Sequence, residues 1–167
     1  AMNYIYQGAG NGAIDRAIYH MHAGNLGQMQ ESGRDQGHTT LSISLLGAIC
    51  EMGWNQGVDL YGYRNNRCLA GAEYVFKYNQ WHDVPYVPYM WGTGQSGSWQ
   101  IQSNVSGSAR GSNRPVAEMI YNHYVNRLGL AAPFSKYEAE QHRPEDQADE
   151  QELPHEGEIP LRDRRLR

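Results

Sequence analysis

The sequence predicts a mainly α-helical body, and two observations carry that expectation. Three segments repeat apolar residues at helical spacing: Leu41, Leu45 and Ile49; then Leu69, Ala72, Val75 and Phe76; then Val116, Ile120, Tyr124 and Leu128. No segment alternates apolar and polar residues with a period of two, as a half-buried strand would.

Residues 1–30 are rich in Gly, Asn and Gln, with a short helix expected around Ala13–Met21. The first long helix is expected to begin within Gly33–Thr39 and run to about Trp54, with Asn55-Gln-Gly57 as its stop. A second covers about Asn65–Tyr78. Pro85 and Pro88 then disfavour helix, so His82 onward reads as a long irregular loop carrying Tyr86, Tyr89 and Trp91. The third helix has Ser112 or Asn113 as cap, Pro115 in its first turn and Gly129 as its end. From Glu138 large apolar residues almost vanish and acids dominate, so residues 138–167 read as a disordered tail on a helical domain of residues 1–137.

The chain has 167 residues, enough for one domain, and net charge −4. Charge is unevenly placed: residues 1–137 hold nine Lys and Arg against eight acids, residues 138–167 five against ten. The body therefore lacks the basic face of a nucleic-acid binder, yet has local arginines suited to an anionic sugar. No apolar run is long enough for a transmembrane helix, so no membrane partner is expected. Ala1-Met-Asn-Tyr4 does not read as a signal peptide. Tyrosine is abundant, at 12 residues against 2 Phe, a balance that suits half-wet grooves where a ring stacks and a hydroxyl bonds. Asn104-Val-Ser106 is a glycosylation sequon, and Cys50 and Cys68 read equally as a disulfide or as two buried thiols.

The densest chemistry is Glu31-Ser-Gly-Arg34-Asp35-Gln-Gly-His38, immediately before the first apolar stripe. In a helix Glu31, Arg34 and His38 share a face. A histidine there is either a general base tuned by its neighbours or part of a charge cluster at a helix start. Glu31 and Asp35 also form a carboxylate pair, but hydrolases hold their two acids on opposite sides of the scissile bond. Arg114 and Tyr121, seven residues apart, share a helical face, where a cation can stabilise a phenolate; a buried Tyr/His network explains the same spacing. The Tyr86/Tyr89/Trp91 loop reads as a sugar-stacking lip, a carrier of a catalytic phenol, or a plug over helix ends. His20-Met-His22 could offer two metal ligands, but it lacks a partner motif, and neither a metal nor another cofactor is expected.

Four strings, in order, carry a resemblance: Gln30-Glu-Ser-Gly-Arg-Asp-Gln-Gly-His38-Thr, Glu51-Met-Gly-Trp-Asn-Gln-Gly-Val-Asp-Leu-Tyr-Gly-Tyr63, Asn66-Arg-Cys-Leu-Ala-Gly-Ala-Glu-Tyr-Val-Phe-Lys-Tyr78-Asn and Arg114-Pro-Val-Ala-Glu-Met-Ile-Tyr-Asn-His-Tyr124. They resemble the alginate lyase-like domain family, in the branch associated with glucuronan and related polyuronate lyases, over about Asn3 to Pro144. The resemblance implies part of an α/α toroid of helical hairpins, secretion, and β-elimination on an anionic polysaccharide. His38 then matches the catalytic histidine, with Glu31 and Arg34 its polar partners. Tyr89 is the first choice for the catalytic tyrosine, with Tyr86 or Tyr121 as alternates, and Arg114 and His123 are groove residues. The family's Asn-His pair does not precede Glu31; the pair present here is Asn122-His123. The chain is thus expected to be a central piece of the toroid, able to associate through exposed helix faces. The alternative is a non-catalytic fragment that binds a glycan or a partner.

Overall fold

The computed structural model describes residues 2–8, 12–91 and 100–143. In chain order they form α1 (Met2–Gln7), α2 (Ile14–Ala17), β1 (Ile18–His22), β2 (Leu26–Met29), α3 (Gln36–Asn55), α4 (Tyr63–Asn79), β3 (Tyr89–Trp91), β4 (Gln100–Gln102), α5 (Ala117–Tyr121), a π-helical segment (Asn122–Arg127) and α6 (Pro133–His142). Strands β1 and β2 pair antiparallel, as do β3 and β4, giving two separate two-stranded sheets.

The expected partial α/α toroid is overturned by this architecture. Only α3 and α4 are long helices; the other helices are short, and two small sheets make the body a mixed α/β domain. The strands escaped the periodicity test for a physical reason. All four residues of β2 are buried, so it has no polar face to alternate, and β3 and β4 have only three residues each. The short helix expected around Ala13–Met21 stops at Ala17, and the chain continues as β1.

Helix α3 spans the expected range, but it buries a different face. Gln36, Thr39, Thr40, Ile43, Leu46, Gly47, Cys50 and Gly53 point inward. Leu45 is 57% exposed and Met52 60%, with Leu41 also at the surface. Both faces of α3 are apolar, and packing chose the one with small residues. Gly47 lies against the Val116 side chain, and Gly53 against Leu60, where a larger residue would hold the elements apart. Thr39 and Thr40 offset their burial by donating hydroxyls to the carbonyls of Asp35 and Gln36, at 2.7 and 2.9 Å.

Helix α4 is the central element, buried from Cys68 through Phe76 and including the expected Leu69, Ala72 and Val75. Its first turn is unusual: Arg64, Asn65 and Asn66 all have left-handed backbone angles, with φ of 50°, 57° and 61°. Asp15 meets this turn through Arg64 at 3.0 Å and Arg67 at 3.4 Å. Strand β2 lies directly on α4. A Cβ on Gly27 would come within 2.9 Å of the Gly71 nitrogen, so the two backbones approach as only glycine permits.

The third expected helix is split. Val116, Ile120 and Tyr124 are buried as the spacing required, but the widened π turn carries Leu128 out of that stripe to the surface. Gly129 ends it with φ of 66°, as expected. The expected tail begins too early, because Glu138 to His142 belong to α6, anchored by buried Ser135, Glu138 and Ala139. Residues 144–167 lie outside the described residues. Glu73, in α4, caps α6: its carboxylate accepts from the Ser135 amide at 2.8 Å and the Ser135 hydroxyl at 2.6 Å. Cys50 and Cys68 are buried free thiols.

The backbone contact at Gly27 gives a direct test. Gly27→Ala is expected to push β2 from α4 and lower stability by about 1–3 kcal/mol, read by chemical denaturation. An unchanged midpoint would show that the two elements can separate at no cost.

Candidate functional site

Two overlapping turns join β2 to α3, with the Ser32 amide on the Met29 carbonyl and the Arg34 amide on the Glu31 carbonyl. They deliver Asp35 in an extended conformation as the N-cap of α3. One carboxylate oxygen of Asp35 accepts the His38 amide at 2.8 Å, and the other meets His38 Nδ1 at 2.6 Å. The same residue therefore starts the helix and orients the imidazole. With Nδ1–H directed to the carboxylate, Nε2 keeps its lone pair. The His38 side chain is 46% exposed.

Partial burial pushes the Asp35 carboxyl up. The hydrogen bonds from the His38 amide and ring and the positive charge of Arg34 outweigh burial and hold it below the ordinary aspartate value. Arg34 pairs with Glu31 at 3.4 Å and lies 3.8 Å from Asp35. Its side chain is 51% exposed.

Two of the expected phenols close on this turn. Tyr89 donates its hydroxyl to Gln30 Oε1 at 3.1 Å. Tyr86 donates to the Gln102 carbonyl at 2.9 Å, and its oxygen touches Gly33. Burial raises the pKa of both; for Tyr89 the Glu31 charge adds to the rise and Arg16 opposes it. Both phenols therefore hold their protons at neutral pH, which suits a proton donor better than a base.

The other expected site residues sit elsewhere. His123 packs face to face on Tyr61 with centroids 3.9 Å apart and edge-on to Trp54, near the last turn of α3. Along the helix that is about 24 Å from His38. Burial, with Arg127 nearby, lowers its pKa, as for a neutral core histidine. Tyr121 lies under the Arg143 guanidinium, 5.1 Å from ring centre, where Arg143 pairs with Glu118 through two contacts of 2.9 Å. Arg114 is exposed in the segment before α5. Arg114, Tyr121 and His123 thus do not join Glu31, Arg34, His38, Tyr86 and Tyr89, and the expectation that they line the same groove is corrected. The helical face proposed for Glu31, Arg34 and His38 is corrected as well. Only His38 is in the helix; turns, not helical spacing, bring the three together.

Several functional candidates were missed. Asp35 was legible as a helix cap three residues before His38. Arg16 lies close enough to Tyr89 to act on its charge. The β1–β2 hairpin adds a run of rings beside Tyr89: Tyr19 lies 4.7 Å from Tyr89, His20 6.4 Å from Tyr19, and His22 4.5 Å from His20. Gln28 fixes this run by donating to the Val87 carbonyl at 2.8 Å, while its own carbonyl accepts the Val87 amide at 2.9 Å. Nothing in a sequence signals a pairing between residues 59 apart. Among the described residues no group of three His, Cys, Asp or Glu side chains is arranged to hold a metal ion. Searches against protein-family models, curated proteins and solved structures found no match.

The double role of Asp35 can be separated by mutation. Asp35→Asn retains an oxygen for the helix cap but removes the charge, so its denaturation midpoint should lose the acid-side fall that the carboxylate gives the parent chain. Asp35→Ala loses the cap too and should cost about 1 kcal/mol. Because the folded-state value is depressed, the carboxylate's contribution is present above the ordinary aspartate value of about 4 and is lost as pH falls through the folded value. An acid-side fall in stability as steep in Asp35→Asn as in the parent chain would break the pairing.

Proposed function

We propose that the chain acts as a lyase on a uronic-acid polysaccharide such as glucuronan or alginate, cleaving it by β-elimination. The observation that carries this reading is the 2.6 Å contact between Asp35 and His38 Nδ1, at the end of a turn that also carries Arg34 and that the Tyr86 and Tyr89 hydroxyls meet at Gly33 and Gln30. The resemblance of the Gln30–Thr39 string to alginate lyase-like domains supports the same chemistry.

In the proposed reaction the uronate carboxylate pairs with Arg34, which Glu31 holds in place. Pairing withdraws charge and makes the adjacent C5 proton more acidic. His38 Nε2 removes that proton, and Asp35 stabilises the imidazolium that forms. The electron pair of the C5–H bond becomes the C4=C5 double bond, and the C4–O glycosidic bond breaks. The Tyr89 hydroxyl protonates the leaving oxygen, as befits a phenol whose pKa is raised. Exchange with water then resets both groups.

A second reading, binding of an anionic glycan without turnover, is favoured by the hydrogen bond that already commits the Tyr89 hydroxyl to Gln30. The two separate in one assay. Glucuronan and alginate are incubated with the chain, and the ultraviolet absorbance of unsaturated uronate is followed. Lyase activity is expected, reduced about 10²–10⁴-fold by His38→Ala and by Tyr89→Phe. Binding with no chromophore, undiminished in His38→Ala, would establish the second reading instead.

A further inference from the structure

We infer that the chain carries a second carbohydrate site, in a cleft whose lining does not include the His38 turn, that takes a neutral pyranose chain. The site is a cleft of about 650 Å³ between the C-terminal end of α4, the segment before α5, and α6. That volume is in the range of sites that hold small ligands.

The first observation is Trp81. It is 71% exposed and has φ of 68°, a backbone conformation that suits glycine and strains an indole-bearing residue. It follows the C-cap of α4, and the next amide, of His82, reaches back to the Lys77 carbonyl at 3.2 Å. Glycine is the favoured residue at such a position. A large, exposed ring held there against its own preference points to a use for the ring. Arg110 steadies it from outside the cleft, with its guanidinium 5.2 Å from the Trp81 ring centre and committed to the carbonyls of Tyr78 and His82 at 2.8 and 3.0 Å.

The second observation is the chemistry of the walls. Trp81 and exposed Tyr137 offer flat faces, and His82 packs on Phe134 with centroids 5.5 Å apart. Opposite them lies Glu138, whose side chain is only 7% exposed. It accepts from the Gln80 amide at 3.2 Å and lies 3.3 Å from His142, which Asn113 meets at 2.8 Å. Stacking faces combined with fixed amide, imidazole and carboxylate groups match a sugar ring, with its apolar C–H face and rim of hydroxyls.

The third observation selects the charge class. None of the described residues lining the cleft is Lys or Arg, and the buried group is a carboxylate. A uronate would meet this carboxylate with no lining Lys or Arg to pair with it, whereas the hydroxyls of a neutral sugar can bond the lining amide, hydroxyl and imidazole groups. The cleft and the His38 turn are thus tuned to opposite classes of glycan, and this inference does not depend on the lyase reading.

The test titrates the full chain with neutral hexasaccharides of glucose, mannose and xylose, and separately with oligoglucuronate, following the Trp81 indole N–H resonance. At least one neutral hexasaccharide is expected to shift that resonance, and oligoglucuronate is not. Trp81→Gly and Tyr137→Ala should each weaken binding at least tenfold by calorimetry, and His38→Ala should leave it unchanged. Trp81→Gly also relieves the strained φ, so its melting temperature should equal or exceed that of the parent chain. The proposal is overturned if no neutral sugar perturbs Trp81, if oligoglucuronate binds there, or if Trp81→Gly binds as the parent does. A fall in melting temperature for Trp81→Gly would likewise overturn it, by assigning the ring to packing.

Discussion

The buried amide pair of Gln36 and Asn79 holds together everything that gives this chain chemistry. Gln36 donates to the carbonyls of Ser106 and Ser32 at 2.9 and 3.3 Å, and its own side-chain carbonyl accepts from Asn79 at 3.1 Å. Asn79 in turn donates to Val75 and accepts the Gly111 amide at 3.0 Å. Backbone bonds from Gln36 to Ser108 and from Ser106 to Ser32 complete the knot. One pair of primary amides thus ties the start of α3, the end of α4 and the 103–112 segment. A buried amide left without its partner costs more than a made bond contributes, so this network is satisfied throughout or fails as a unit. Asp35 lies one residue before Gln36, and Trp81 lies two residues after Asn79. The two surfaces with chemistry are fastened to opposite ends of the same knot.

The candidate site is a turn stiffened from three directions rather than a face of a helix. Asp35 holds His38 from the helix start, Glu31 holds Arg34 within the turn after β2, and Tyr86 and Tyr89 close over the turn from a segment more than fifty residues later. Rigid placement of a base, a cation and a protonated phenol is what proton transfer next to a carboxylate requires. Arg34 and His38 share Asp35 as a partner, while the two phenols arrive from a separate segment.

How much of this was readable in the sequence depends on the range of the interaction. The charged cluster around His38 was legible because its members are adjacent in the chain. So were the ends of α3, the inward face of α4, and Gly129 as a stop, since each depends on local spacing or capping. The buried face of α3 was not. Two apolar stripes run along that helix, and only the close approach of Val116 to Gly47 and of Leu60 to Gly53 selects between them. The short strands were invisible because full burial erases alternation in β2, and β3 and β4 are only three residues long. The toroid expected from resemblance failed at the level of architecture, and Tyr121 and His123 went with it: they sit against Arg143 and Tyr61, where they support packing.

The first turn of α4 has a further implication, for the order in which the molecule assembles. A helix ordinarily propagates from any favourable nucleus in either direction, but Arg64, Asn65 and Asn66 are wound with the opposite hand. Winding that starts in the apolar stretch of α4 must halt at Arg67. Asp15, which meets Arg64 and Arg67, belongs to the segment that leads into the β1–β2 hairpin. The reversed turn therefore sets where right-handed winding of α4 can begin, and the same acid joins that starting point to the N-terminal hairpin.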